Sequence, residues 1–256
     1  MSSFNNTQKP LLVTIEGNIG AGKSSIIAKM KERYADRSDI VFVQEPVDIW
    51  DGICDENGTK MLNLFYQNPK EHAFAFQQMA YITRISLLRR TIAEHPQCKV
   101  LICERSLDAD RNIFAKMLFD DGIISKVCFQ IYSLIYDEFT GGFPIDRCVY
   151  IDADPEICFE RITKRARSGE SGIALEYLTK CKKYHDDWLL QSSIETPILG
   201  ERQSEERAQA AEDSLEKMNL HKILHLKTNQ NATYQDGDAD DCGNKWIQQI
   251  MDFIKC

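Results

Sequence analysis

Gly17-Asn18-Ile19-Gly20-Ala21-Gly22-Lys23-Ser24 has the spacing GxxxxGK[ST]. Glycines at these positions let successive backbone N–H groups turn inward on an anion, since only a residue without Cβ takes such conformations freely. The helical stretch that opens at Lys23 adds the positive end of its dipole. Lys23 is suited to reach the β- and γ-phosphates of a nucleoside triphosphate, and the Ser24 hydroxyl to join a Mg²⁺ shell. A tight turn that binds nothing can also be glycine-rich. The full match between an apolar run and a helical one argues instead for ATP or GTP. It does not say which group receives the phosphoryl.

Two more segments could do chemistry beside that loop. Glu45-Pro46-Val47 follows the apolar run 41–43, and Glu104-Arg105-Ser106 follows the run 100–103. Phosphoryl transfer to a hydroxyl needs a carboxylate to orient the acceptor and take its proton. It also needs positive charge on the transferring group. Glu45, Glu104 and Arg105 supply both kinds of group. The plainer readings are a solvated strand-end carboxylate at Glu45 and a structural Glu104–Arg105 salt bridge. Chain order alone leaves open which glutamate is the base and which faces the metal.

The elements that must position these residues alternate along the chain. Runs 11–16, 41–43, 100–103, 148–151 and 223–226 read as strands. Stretches 23–34, 70–95, 108–119, 125–139, 155–167, 175–190 and 244–255 read as helices, with Asp154 a good cap and Pro155 in the first turn of one of them. This order implies an α/β fold with a five-stranded parallel sheet covered by helices on both faces. In such sheets the working residues collect at the carboxyl ends of strands, where both glutamates fall. The 256 residues read as one domain with a flexible start at 1–9, a surface helical insertion at 201–218 and a loop at 228–243.

Composition excludes several classes. Thirty-one basic residues stand against 39 acidic ones, a net charge of −8, which disfavours nucleic-acid polymers and anionic membranes as partners. No run approaches the ~20 apolar residues of a membrane span. The first ten residues carry neither an apolar signal core nor the arginines of a transit peptide. Nine cysteines, an odd number with no CxxC pair, read as reduced thiols packing as small hydrophobes. The expected location is the cytoplasm.

Further segments, taken with these, resemble the deoxynucleoside kinase family. They are Tyr66-Gln67-Asn68-Pro69-Lys70-Glu71-His72-Ala73-Phe74-Ala75-Phe76-Gln77, Asp110-Arg111 with Phe114, Arg161 with Arg165-Ala166-Arg167 and Glu170, and Gly172-Ile173-Ala174-Leu175-Glu176-Tyr177-Leu178. The match runs over residues 11–190. The resemblance implies a P-loop kinase fold with an Arg-rich lid, ATP and Mg²⁺ as cofactors, and a deoxynucleoside as substrate. Glu45 would be the general base toward the 5′-hydroxyl. Arg105 would lie near that hydroxyl and the transferred phosphoryl, with Lys23 on the donor and Glu104 beside Ser24 on the metal. Tyr66 and Glu170 would bind the 3′-hydroxyl. Gln77 would read the base, with Phe114 stacked on it and Trp50 and Phe76 walling the pocket. Arg161, Arg165 and Arg167 would form the lid, and Gly169 and Gly172 could permit its closure. A homodimer through the helices 70–95 and 125–139 is also implied.

Three side-chain arguments stand beside the resemblance. A buried Gln77 amide must find both donor and acceptor partners, and a nucleobase edge offers both. Arg84 lies seven residues after Gln77 and shares its helix face, with Asp110 a reasonable partner and Ala80 a small residue between. A carboxylate can accept from the exocyclic amine of cytosine or adenine, and an arginine can donate to O6 or N7 of guanine or to N7 of adenine. The pair disfavours thymidine, leans slightly to a purine and leaves deoxycytidine close behind. Arg161 and Arg165, four apart, repel unless a polyanion lies between them. A thymidylate-kinase-like monophosphate kinase is the alternative, but its acceptor side would want cations where Glu45 stands.

Overall fold

The computed structural model describes residues 9–167, 169–170, 172–190 and 223–255. The first eight residues and the segment 201–218, expected to be an insertion, lie outside the described residues. In chain order the elements are β1 (Leu11–Gly17), α1 (Lys23–Arg33), β2 (Ile40–Val43), α2 (Val47–Asp51), α3 (Met61–Gln67), α4 (Pro69–Glu94), β3 (Val100–Glu104), α5 (Leu107–Ala109), a π-helical segment (Asp110–Ala115), α6 (Lys116–Asp120), α7 (Lys126–Thr140), β4 (Arg147–Asp152), α8 (Pro155–Arg165), α9 (Leu175–Leu189), β5 (Ile223–Lys227) and α10 (Cys242–Lys255).

All strand pairs are parallel, in the order β2-β3-β1-β4-β5. Parallel strands need crossover helices, and those helices cover both faces. Val13, Ile15, Val149 and Ile151 pack with Ile26, Ile27 and Met30 of α1 and Ile247 and Ile250 of α10. On the other face Leu12, Leu101 and Cys103 pack with Tyr81, Ile85 and Leu88 of α4 and Tyr132 and Tyr136 of α7. Each such aliphatic side chain contributes about 1.5–3 kcal/mol on burial. The central strand is therefore fixed from both sides, and the loop that leaves it inherits that rigidity.

The P-loop kinase architecture expected from the sequence is the one observed, with differences in detail. The short helices α2 and α3 were not expected, since five and seven residues are too few to show a helical period. The stretch expected as one helix over 108–119 is α5, the π-helical segment and α6 in succession. A π turn carries one extra residue and recurs at functional sites. Here it begins at Asp110. Asp154 does not cap α8 with its side chain, which instead accepts from the Asn229 amide at 2.7 Å. Helix α8 also stops at Arg165, because Ala166 turns left-handed at φ 50°, so Arg167 lies beyond it.

Candidate active site

The carboxyl ends of β1, β2 and β3 converge on one cleft. It measures about 320 Å³ and is lined by the loop 19–24, Glu45, Glu104, Arg105 and the arginines after β4. Gly17 has φ 144°, and a Cβ there would meet the Ile151 carbonyl of β4 at 2.4 Å. The close approach of loop and strand admits no side chain. Gly22 has φ 104° with open space around its missing Cβ. It leads into α1, whose first-turn N–H groups have no intrahelical acceptor, at residues that line the cleft.

Lys23 Nζ donates to the Gly17 and Asn18 carbonyls at 3.0 and 2.8 Å, which holds the lysine across its own loop. Burial first, then the nearby Arg105, lowers its pKa to about 8. The Ser24 hydroxyl donates to Glu104 at 2.5 Å, so two oxygen donors meet beside the loop. Among the described residues no three His, Cys, Asp or Glu side chains cluster as a metal cage. Mg²⁺ commonly takes one or two protein oxygens and completes its octahedron with phosphate and water; Ser24 and Glu104 fit that pattern. Asn18 differs from the rest of the loop. Its side chain donates to the Leu178 carbonyl at 2.9 Å and accepts from Ile19 N–H, bracing the loop against α9. Ala21 is buried, and Ile19 and Gly20 line the cleft.

The arginines after β4 are engaged differently from one another. Arg161 donates to the carbonyls of Ala21, Thr228 and Gln230. It ties the phosphate loop to the segment after β5 and lines the cleft together with Arg165 and Arg167. Arg165 makes a two-pronged bond to Glu170 at 2.6–2.7 Å, and Arg167 approaches the same carboxylate at 3.7 Å. Glu170 is thus paired with cations while sitting near Tyr66, whose hydroxyl is pushed up by burial and by neighbouring Cys181 and Glu170. Gly169 has φ 91° and sits so near Asn63 that a Cβ would lie 2.4 Å from its side-chain oxygen. The tip of this segment therefore rests on α3.

On the acceptor side Glu45 accepts from Arg105 Nε at 2.9 Å and from Arg84 at 3.1 Å. Burial alone would raise the Glu45 carboxyl, but Arg105, Arg84 and Lys23 overcome it and hold it at about 2. It is a carboxylate at neutral pH and is 20% exposed at the cleft. Arg84 reaches Asp110 through Nε at 2.9 Å and Nη2 at 3.3 Å, and the Glu104 carbonyl at 3.1 Å. Four of the five guanidinium N–H groups are thereby directed at protein acceptors. The Arg84–Asp110 pair exists, and it extends to Glu45.

The residues expected around a base lie on α2, α4 and the π segment, outside the lining of the cleft described above, and Trp50, Phe76 and Ala80 share one apolar cluster. Gln77 is 2% exposed and its side-chain oxygen has no partner. A buried amide in that state is costly unless a ligand completes it. Trp50 donates to Thr83 at 2.8 Å and meets Phe76 edge-on at 5.9 Å; Phe76 in turn stacks on Phe65. Ala80 packs in the same cluster. Phe114 lies under the Arg105 guanidinium, 4.5 Å from its carbon.

One wall of the cleft was not expected from the sequence. Gln230, Asn231, Ala232, Tyr234 and Trp246 also line the cleft, from a segment expected only to be a loop and from the helix after it. The available signal was two aromatic residues in otherwise polar surroundings.

A family model described as deoxynucleoside kinase matches residues 13–225. Deoxycytidine kinase of Homo sapiens is 33% identical over 206 residues, covering 72% of this chain and 77% of the relative. Deoxycytidine kinase 2 of Gallus gallus is 32% identical over 217 residues, covering 73% and 80%. The mitochondrial deoxyguanosine kinase of Xenopus laevis is 29% identical over 210 residues, covering 75% and 78%.

Proposed function

The chain belongs to the deoxynucleoside kinase family, and we propose on that premise how its residues divide the transfer of a phosphoryl group from ATP to a deoxynucleoside 5′-hydroxyl. The reading rests above all on Glu45, a carboxylate held by two arginines at the end of β2 and facing the phosphate loop. Glu45 accepts the 5′-hydroxyl proton. Arg105 turns from Glu45 toward the transferring group as that proton arrives. Lys23 and the loop amides hold the donor's phosphates, and Ser24 and Glu104 hold the metal. When bound, Mg-ATP supplies the phosphoryl group and a divalent charge on its oxygens. Tyr66 and Glu170 hold the 3′-hydroxyl, Gln77 hydrogen-bonds the base edge, and Phe114, Trp50 and Phe76 wall it in. Arg165 and Arg167 close over the donor and exclude water, which would otherwise accept the phosphoryl group.

The substrate is a deoxynucleoside whose base carries an exocyclic amine. Asp110 favours such a base over thymine, and relatives are named for deoxycytidine and deoxyguanosine. The lean to a purine through Arg84 loses weight, since that guanidinium is mostly engaged by protein acceptors. Purified protein with Mg-ATP should phosphorylate deoxynucleosides and leave their monophosphates untouched. Transfer to monophosphates alone would sink the reading.

The active form is a homodimer in the cytoplasm. Val127, Ile131 and Leu134 recur at i, i+4 and i+7 on α7 and are 42–64% exposed, with Ile82 of α4 also exposed. A contiguous apolar face of this kind marks an interface, and a second copy of the chain covers it symmetrically. Leu134→Glu should give a monomer in sedimentation equilibrium at micromolar concentration, where the unaltered chain is a dimer. A monomeric unaltered chain would refute this. Among the described residues no helix is long and apolar enough to cross a membrane.

A further inference from the structure

Glu16 stands at the end of β1, immediately before the phosphate loop, and the transfer as described makes no use of it. Strand alternation sends Val13 and Ile15 toward α1 and leaves Thr14 and Glu16 on the opposite face. Glu16 is 0% exposed, and neither carboxylate oxygen has a hydrogen-bond partner. The Ser106 hydroxyl lies near it without completing a hydrogen bond. An ionisable group in that state is among the most expensive things to bury. An amide or a leucine would fit a sheet face at far lower cost.

Arg105 sits astride this residue. Its main-chain N–H donates to the Ile15 carbonyl at 3.1 Å, and its Nη2 donates to the Gly17 carbonyl at 3.3 Å. These are the two carbonyls that flank Glu16. Between the anchors Arg105 takes φ 67°, a left-handed conformation that is strained for a residue with Cβ. Arg105 Nη1 is buried and, like the Glu16 carboxylate, has no partner. Among the charges acting on Glu16, Arg105 exerts the strongest attraction. Burial nonetheless raises the Glu16 carboxyl above the usual carboxylate range, and this unpartnered carboxyl and the unpartnered Arg105 nitrogen lie within electrostatic reach of each other, without forming an ion pair, behind the reaction centre.

We propose that Glu16 is a positioning residue that shares Arg105 with Glu45. The inference rests on the reading of Glu45 and Arg105 given above. A carboxylate gripped by two guanidinium groups accepts a proton poorly. With Glu16 behind it, Arg105 keeps a counter-carboxylate when it leaves Glu45 for the transferring phosphoryl. Without Glu16, the arginine's attraction falls wholly on Glu45, and the base is held more tightly in its resting pair. Glu16 therefore acts on the chemical step and not on the binding of either substrate.

The test is a double-mutant cycle on the full chain with Glu16→Gln, Arg105→Gln and both together, measuring kcat, both KM values and Tm. Glu16→Gln should lower kcat about tenfold or more, the scale expected when a reacting group is misplaced, with both KM values little changed. Its Tm should be unchanged or higher, since an unpaired buried charge has been removed. In the Arg105→Gln background the same change should have no further effect on kcat. Glu16→Asp, which keeps the charge, should recover part of the lost rate. Wild-type kcat in Glu16→Gln beside an impaired Arg105→Gln overturns this inference alone. Effects that multiply in the double variant overturn it too. So does a Glu16→Gln chain that melts lower or fails to fold, for the carboxylate then serves the fold. Wild-type kcat in Arg105→Gln overturns the reading of Arg105 and this inference with it.

Discussion

The donor and acceptor halves of the cleft are built from different material. The donor half is mostly main chain: loop amides, a lysine held by its own loop's carbonyls, and glycines whose missing Cβ lets strand and loop touch. The acceptor half is mostly side chain. Glu45, Arg84 and Asp110 come from three separate segments and are joined by buried charge, with Gln77 on the same helix as Arg84. A main-chain site must be contiguous in sequence and tolerates little change at its glycines. A side-chain site can be assembled from afar and re-tuned one residue at a time.

The largest expected effect falls where the halves meet. Glu45→Gln should lower kcat by about 100-fold or more, within the range of general acid–base groups, while ATP binding survives on the untouched loop. A near wild-type kcat at saturating substrate would remove Glu45 from the role and dissolve the division.

A smaller effect should belong to the acceptor half alone. Replacing Arg84 by Met would leave Asp110 buried without its cation, so the pair must be removed together. The double variant Arg84→Met/Asp110→Ala should lose discrimination against thymidine by about 1–3 kcal/mol, the scale of one bidentate base contact. Since Arg84 also holds Glu45, kcat should change for every substrate, and the ratio of kcat/KM values is the quantity to compare. Unchanged ratios would make the pair a structural bridge.

The smallest effect is a pH dependence of the donor half. Burial lowers Lys23 to about 8. The ammonium form predominates below that pH and is lost as pH rises through it. Affinity of the free enzyme for ATP should therefore weaken between pH 7 and pH 9, read as a rise in Kd by nucleotide titration. A flat profile would mean that Lys23 stays charged across the range.

The same contrast explains what was legible in the sequence. Gly17 to Ser24 could be read outright because a phosphate loop needs its glycines, lysine and serine at fixed offsets. Glu45, Glu104 and Arg105 could be read because strands end where sheet sites form. Arg84 and Asp110 followed from helix periodicity and the cost of a buried charge. The role of Arg161 as a tie among three carbonyls was not legible, since charge pattern does not reveal main-chain acceptors. Helices α2 and α3 were too short to show a period. The wall formed by Tyr234 and Trp246 was hidden in a polar segment whose place depends on the register of β5.

On the proposed reading a buried charged pair, joined to Glu45, selects deoxynucleosides by their exocyclic amine. The most direct measurement is kcat/KM for deoxycytidine, deoxyguanosine, deoxyadenosine and thymidine at one saturating Mg-ATP concentration. The three amine-bearing substrates should be phosphorylated in preference to thymidine. Thymidine emerging as the best of the four would contradict it.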